Sequence, residues 1–149
     1  MNANSCEATN TEAIARGVFA EIAGRFPALK LVENVDEHVE ISITIPVQPG
    51  LSHDVGLGLQ NQDELHLYIG HLWVEWFPCT KRDRVEEYLE AVTGFLSGSY
   101  RVLEHYRGTK CYKAQLQKPA NGGWRTIATW ATIWTSWPWK KTLREIRNQ

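Results

Sequence analysis

The residues that follow Thr9 repeat apolar side chains at every third or fourth position, which is the spacing of one face of an amphipathic helix. Thr9 and Glu12 have the pattern of a capping box, in which two side chains satisfy backbone N–H groups at the start of a helix. Pro27 is expected to end this first helix near Phe26. The predicted buried face consists of Ala13, Ile14, Val18, Phe19, Ile22 and Phe26.

A second amphipathic helix is predicted in the middle of the chain. Thr80 and Asp83 are suited to cap its N-terminus, and Gly98 stands where helices commonly end with glycine. Between these signals the apolar residues again recur at helical spacing, which predicts one buried stripe. The stripe consists of Val85, Tyr88, Leu89, Val92, Phe95 and Leu96.

Between the two predicted helices, apolar and polar residues alternate strictly, as is typical of half-buried β-strands. The alternation runs over residues 38–47 and resumes over residues 55–59, after a turn at Pro49 and Gly50. In the first of these strands one face is wholly apolar, with Val39, Ile41, Ile43, Ile45 and Val47.

Residues 64–77 form a further strand segment whose alternation changes phase at Gly70. The apolar side chains occupy odd positions before this glycine and even positions after it. A β-bulge or a hairpin turn at Gly70 would equally restore a common buried face. In both cases the opposite face gathers His66, Tyr68, His71, Trp73 and Glu75.

Three more strands are predicted after the second helix, over residues 100–106, 111–117 and 124–134. The last two are joined by a turn that contains Asn121 and Gly122, which is a strong hairpin signal. The chain then continues into a short basic tail, in which the spacing of Leu143 and Ile146 predicts one or two helical turns.

The predicted order is α-β-β-β(-β)-α-β-β-β with a short C-terminal helical tail. Short turns favour antiparallel pairing, and two separated amphipathic helices favour an α+β fold. We therefore expect one domain over residues 1–149, with an antiparallel sheet of six or seven strands and both helices on one face.

Residues 9–79 and 80–136 are candidate copies of one α-β-β-β plan, followed by a basic tail over residues 137–149. In element order the chain resembles type III secretion chaperones and immunity proteins of bacterial toxin systems, a resemblance that implies a protein-binding role.

Composition and cysteine spacing narrow the function classes. A chain of 149 residues with 43% hydrophobic and 22% charged residues is expected to fold around a core. No apolar run approaches the roughly 18 residues that cross a membrane, and residues 1–10 lack the pattern of a secretion signal. Three cysteines at long spacings, Cys6, Cys79 and Cys111, predict free thiols and a cytoplasmic location.

Charge is divided unevenly along the chain. Residues 1–79 carry 11 acidic and 3 basic residues, whereas residues 80–149 carry 6 acidic and 13 basic residues. Such a division is typical of a basic half that binds an anionic partner, or of two halves that pack together or dimerise head to tail. The net charge of −1 favours mutual neutralisation of the two halves.

Three histidines and a glutamate are the candidates for acid/base or metal chemistry: His66, His71, Glu75 and, on a later strand, His105. Their spacing matches no known metal motif, so we assign no catalytic residue and expect no metal and no cofactor.

Cys79 precedes the second helix, whose positive end would lower the pKa of the thiol. The interpretation favoured for Cys79 is a small buried side chain. The motifs of serine hydrolases and P-loop proteins are missing from the sequence.

Six of the seven tryptophans divide into three groups. Trp124, Trp130 and Trp134 share one face of the last predicted strand, and we expect them to belong to the core, with this strand central in the sheet. The second group is Trp73 on the polar face beside His71 and Glu75, and the third is Trp137 and Trp139 at the start of the basic tail. The last two groups and their neighbours are the candidate binding residues, because aromatic side chains and arginine concentrate binding energy. The candidates are Tyr68, Trp73, Trp137, Trp139, Arg101 and Arg125.

The leading hypothesis is a non-enzymatic protein-binding module of the cytoplasm, with a protein or a second copy of the chain as its partner. The near-neutral charge argues against nucleic acid as a partner, and no membrane association is expected. The alternative is an enzyme for a small ligand or a metal, using a cluster of histidine and glutamate in a cleft between sheet and helices.

Overall fold

The computed structural model describes residues 3–36, 38–132 and 140–149, with the side chains of the first range from residue 10 onward. These residues form an α+β fold with two helices and two antiparallel sheets, of five and four strands. In chain order the elements are α1 (Ala3–Arg25), β1 (Val32–Asn34), β2 (Ile41–Ile45), β3 (Val55–Gln60), β4 (Glu64–Ile69), β5 (Leu72–Trp76), α2 (Arg82–Leu96), β6 (Arg101–Arg107), β7 (Lys110–Ala120), β8 (Gly123–Ala131) and β9 (Lys141–Arg147).

In the first sheet each strand pairs with its neighbour in sequence, in the order β1-β2-β3-β4-β5. Alternation places one face of strands β2 to β5 in the core, because successive side chains of a strand point to opposite faces. Tyr88 of α2 packs against Phe19 of α1 and against Trp76 on this face, so both helices cover it. The buried face consists of Ile41, Ile43, Ile45, Val55, Leu57, Leu59, Leu65, Leu67, Ile69, Leu72, Val74 and Trp76.

Gly70 forms a hairpin turn and not a β-bulge. Strands β4 and β5 pair in regular antiparallel register up to Ile69 and Leu72, with Gly70 and His71 between them. Gly70 has a φ of 56°, a conformation that glycine adopts without steric cost. With this turn, the apolar side chains of β4 and β5 lie on one buried face although their positions change from odd to even at Gly70.

Strand β1 was not predicted. It has only three residues, all exposed, and therefore shows no alternation of buried and exposed positions. It is held by backbone pairing with β2 and by the side chain of Asn34, which donates a hydrogen bond to Thr44 Oγ1 (2.9 Å).

Both predicted N-terminal caps are wrong. Helix α1 begins at Ala3, so Glu12 lies inside it and forms an ion pair with Arg16 one turn later (3.2 Å). Helix α2 is preceded by Lys81 at the N-cap position, where no side chain caps the helix. The C-terminal prediction for α2 is correct, because Gly98 follows the C-cap residue with a φ of 79°.

The strands after α2 form a second sheet and do not extend the first, so the prediction of one sheet is wrong. Its order is β8-β7-β6-β9, which places β8 at an edge and not at the centre. Trp124 and Trp130 on β8 are accordingly half-buried, although Trp130 packs against the core, and Trp134 lies outside the described residues. A register shift opposite Leu116 and Gln117 places Trp124 and Trp130 on different faces of β8, so the prediction that they share one face is wrong.

The predicted helical tail is also wrong, because residues 141–147 form strand β9. This strand pairs with β6, and Ile146 lies opposite Val102 in the buried face of the second sheet. Leu143 lies on the opposite face and is 65% exposed. The three-residue spacing of Leu143 and Ile146 suggested a helix with both side chains on one buried face. In strand β9 the two side chains point to opposite faces, and only Ile146 is buried.

Asn148 joins the end of β9 to distant parts of the chain. Its side-chain amide donates hydrogen bonds to the carbonyl oxygens of Gly50 (2.9 Å) and Leu96 (2.7 Å). Its side-chain oxygen accepts a hydrogen bond from the backbone N–H of Ser52 (3.0 Å). The side chain is buried and these bonds satisfy it, as a buried amide requires.

Candidate functional site

An open groove lies where the edge of the first sheet meets the edge of the second. Strand β5 forms one side, β8 forms the other, and α2 contributes Arg84 and Glu87. The groove has a volume of about 600 Å³, and aromatic side chains from both sheets line it. They are Trp73 and Trp76 from β5 and Trp130 from β8.

Trp73 is the most exposed of these aromatic side chains, at 48%. Its ring stacks against Tyr68 of the neighbouring strand, with 5.7 Å between ring centroids and an interplanar angle of 23°. The ring of Tyr68 lies over Gly56 of β3, where an added Cβ would come within 3.2 Å of the ring. The glycine thus leaves room for the aromatic stack on the outer face of the sheet.

His66 lies beside this stack, with its ring centroid 5.9 Å from that of Tyr68 and 6.0 Å from that of Trp73, and is only 2% exposed. Its Nδ1 accepts a hydrogen bond from the indole N–H of Trp73 (2.7 Å), and its Nε2 donates one to Glu64 (2.9 Å). Because an indole nitrogen can only donate, these partners fix His66 as the neutral tautomer with its proton on Nε2. His66 therefore positions Trp73 and offers no free nitrogen to a substrate.

The carboxylate of Glu64 is the hydrogen-bond acceptor for the Nε2 proton of His66. Burial alone would raise the pKa of Glu64, but hydrogen bonds from Asn61 and His66 outweigh burial and lower the pKa below its usual value. The ionised carboxylate is the form that accepts the proton of His66 Nε2.

A second cluster forms at the β4–β5 turn, where the first sheet meets the second. His71 Nδ1 donates a hydrogen bond to Glu104 Oε2 of β6 (2.7 Å), and the hydroxyl group of Tyr106 donates to the same oxygen. The thiol of Cys111 on β7 lies beside them, and the ligand atoms of His71, Glu104 and Cys111 are all within 4.8 Å of one another. We call these three residues the His-Glu-Cys cluster.

Burial and hydrogen bonding act in opposite directions on the carboxylate of this cluster. Burial would raise the pKa of Glu104, whose side chain is 1% exposed. Hydrogen bonds from Tyr106 and from the side chain and backbone N–H of His71 outweigh burial and lower the pKa. Burial and the hydrogen bond to Glu104 raise the pKa of Tyr106 to about 12.

The candidate acid/base residues are thus distributed over different sites. His66 and Glu75 lie opposite each other in the register of β4 and β5, on the outer face of the first sheet. His71 joins Glu104 and Cys111 instead, and His105 on β6 hydrogen-bonds with Gln115 (2.8 Å). Within the described residues, this His-Glu-Cys cluster is the only group of three ligand side chains close enough to share an ion.

Of the candidate binding residues, Tyr68 and Trp73 lie together, whereas Arg101 and Arg125 belong to the second sheet. The guanidinium group of Arg101 lies 4.3 Å from the centre of the Trp124 ring and forms an ion pair with Glu145 (2.7 Å). Arg125 is exposed on β8. Trp137 and Trp139 lie outside the described residues.

Cys79 is a buried thiol, 1% exposed. Burial and the nearby charge of Asp63 raise its pKa, so the activated-thiol interpretation is wrong and the buried one is supported. The thiol lies near the carbonyl oxygen of Thr11 (3.9 Å). Helix α1 covers this position, which the sequence did not indicate.

The acidic and basic halves of the chain are not neutralised by direct ion pairs in the described residues. The pairs of lysine or arginine with glutamate each lie within one half, as in Arg16 with Glu33 and Lys118 with Glu90. Among the ion pairs between described residues, His71 with Glu104 joins the two halves, and here the acid comes from the basic half.

Comparisons with known proteins do not assign a function, because the chain matches no protein family, no curated protein and no solved structure. Neither of the two described helices is long and apolar enough to cross a membrane.

Proposed function

We propose that this chain is a non-enzymatic protein-binding module, and that the groove between β5 and β8 holds a short segment of a partner protein. The observation that carries the proposal is the environment of Trp73. Its indole N–H is turned inward to His66, while 48% of the side chain is exposed. The surface that Trp73 presents to solvent is therefore apolar, and covering it with a partner is favourable.

The fixed position of Trp73 also favours binding. The hydrogen bond to His66 and the stacking on Tyr68 hold the indole in one orientation before any partner arrives. A preorganised aromatic side chain loses little conformational freedom on binding, which is why tryptophan is common among residues that dominate interfaces.

The charges at the groove specify the chemistry of the partner segment. Arg84 already forms an ion pair with Glu87 (3.1 Å), whereas Glu75 is exposed and takes part in no ion pair among the described residues. We expect a segment with one large apolar side chain, which lies against Trp73 and Trp130, and a lysine or arginine beside it, which faces Glu75.

The proposal is tested by selecting binders from a displayed library of random peptides of about ten residues, the length of a long strand. Selected peptides are expected to share an apolar residue next to a basic one. Their affinity is expected to fall at least about tenfold with Trp73→Ala, the loss typical of a dominant interface residue. Glu75→Lys is expected to weaken the same peptides.

Two matched variants serve as controls. Phe77 is 52% exposed and follows β5 without lining the groove, so Phe77→Ala should leave peptide affinity unchanged. Glu86→Lys makes the same charge change as Glu75→Lys, on α2 and outside the groove. Peptides that bind wild type and Trp73→Ala equally, or a library that yields no binder, would overturn the proposal. A dimer whose formation buries Trp73 would also overturn it, in favour of a second copy as the occupant.

A further inference from the structure

The His-Glu-Cys cluster has the side chains and the spacing of a metal site. We propose that His71, Glu104 and Cys111 bind one divalent d-block ion of the zinc class, independently of the groove. Their ligand atoms lie within 4.8 Å of one another, although the residues come from a turn of the first sheet and from two strands of the second. Docking of the two sheets brings them together.

The donor types match this class of ion. Imidazole nitrogen, carboxylate oxygen and thiolate sulfur are the three ligand types that zinc accepts in proteins. A thiolate and a carboxylate also supply two negative charges, which balance the charge of a divalent cation in a buried position. Calcium and magnesium fit less well, because they prefer oxygen ligands throughout.

The distances require only small side-chain movements. Ligand atoms around a tetrahedral zinc ion lie about 3.4–3.6 Å apart, given metal–ligand bonds of about 2.0–2.3 Å. Binding would lengthen the 2.7 Å contact between His71 and Glu104, as the ion replaces the proton between them. Cys111 would move inward by about 1.3 Å at most, because the ligand atoms of the cluster already lie within 4.8 Å of one another.

The surroundings hold the carboxylate in place and leave one position open. Tyr106 donates a hydrogen bond to Glu104, as partners of metal ligands commonly do, and a Cβ at Gly70 would come within 2.5 Å of Glu104 Oε1. His71 is 52% exposed, so water can reach the fourth coordination position from solvent. Zinc accepts such a coordination, with three protein ligands and water in the fourth position.

The thiol of Cys111 must lose its proton when the ion binds. Burial and the charge of Glu104 raise the pKa of Cys111, so the thiol is protonated before binding. Metal binding is therefore expected to release protons and to weaken as the pH falls.

Cobalt(II) provides the test, since it occupies zinc sites and shows a sulfur-to-cobalt charge-transfer absorption when a thiolate is bound. We expect one equivalent of Co²⁺ to give this absorption and Zn²⁺ to displace it. His71→Ala is expected to weaken Co²⁺ and Zn²⁺ binding at least about 100-fold, because loss of a mere supporting partner already costs 10–100-fold. Cys111→Ser is expected to abolish the charge-transfer absorption.

Other cysteines and histidines of the chain provide matched controls. Cys79→Ser removes a buried thiol outside the cluster, and His105→Ala removes a histidine of the same sheet. Both variants should keep the wild-type absorption and affinity.

The proposal would be overturned if folded wild-type protein gave no charge-transfer absorption with Co²⁺, or if the absorption survived Cys111→Ser. It would equally be overturned if His71→Ala left metal affinity unchanged. Because His71 is half exposed, His71→Ala is expected to fold. If Cys111→Ser destabilises the protein, the metal affinity of His71→Ala still tests the proposal.

Discussion

Two pairs of histidine and glutamate use the same side chains but bury opposite members. In the His66 pair, the imidazole is 2% exposed and the carboxylate of Glu64 is 23% exposed. In the His71 pair, the imidazole is 52% exposed and the carboxylate of Glu104 is 1% exposed. A buried carboxylate loses more hydration than a buried neutral imidazole and needs more hydrogen-bond donors in return.

The difference explains what each pair does for the protein. The partners of His66 come from the first sheet, so this pair fixes the aromatic side chains of one face. Glu104 accepts hydrogen bonds from His71 of the first sheet and from Tyr106 of the second, so this pair joins the sheets. The His66 pair therefore acts within one sheet, whereas the His71 pair links the two sheets.

The largest effect is expected from removing the carboxylates. Glu104→Ala removes a buried carboxylate that accepts hydrogen bonds from both sheets and should lower the free energy of unfolding by about 3–5 kcal/mol. Glu64→Ala should cost only about 1 kcal/mol, because water reaches the position that the carboxylate vacates. Urea unfolding of both variants measures the difference, and equal losses would contradict the comparison.

Removing the imidazoles should reverse the order. His66→Ala leaves a cavity beside Tyr68 and Trp73 and should lower the free energy of unfolding by about 2–3 kcal/mol. His71→Ala, at a half-exposed turn, should cost less than about 1 kcal/mol. The same unfolding experiment decides, and a larger loss for His71→Ala would show that its role is not confined to the hydrogen bond with Glu104.

The smallest effect is a change in acid sensitivity, in which the two pairs should behave alike. The pKa values of Glu64 and Glu104 are lowered in the folded state, so the unfolded chain binds protons at higher pH than the folded protein. The stability from each is present above the ordinary carboxyl pKa of 4.5 and is lost as pH falls through the lower folded value. Glu64→Gln and Glu104→Gln should each flatten unfolding free energy against pH below 4.5. A slope unchanged from wild type would contradict the lowered pKa.

Local patterns predicted the first sheet and one of its surfaces. Alternation and the phase change at Gly70 grouped His66, Tyr68, Trp73 and Glu75 correctly on one face, because adjacent strands joined by a short turn fix their own register. The same pattern wrongly added His71, which lies in the turn and joins Glu104 and Cys111. The sequence also separated Tyr68 and Trp73 from the core, because both stand at polar positions of the pattern.

Contacts between distant parts of the chain were beyond such reasoning. The approach of Glu104 and Cys111 to His71 depends on how the two sheets dock, which no local spacing encodes. Strand β9 was missed because its apolar residues are too few to show a period of two. The sequence signal that could have suggested the cluster is Glu104, which shares the face of the apolar Val102 on β6, together with Cys111 on the neighbouring strand.

Asn148 has a consequence for how the chain folds. Its hydrogen bond to Gly50 spans 98 positions, and its bond to Leu96 spans 52. Closing such long loops costs entropy before any contact compensates it, so contacts of this kind form slowly. We expect the first sheet to form early from its local hairpins, and the docking of β9 with the closure by Asn148 to be the late step that completes the native state.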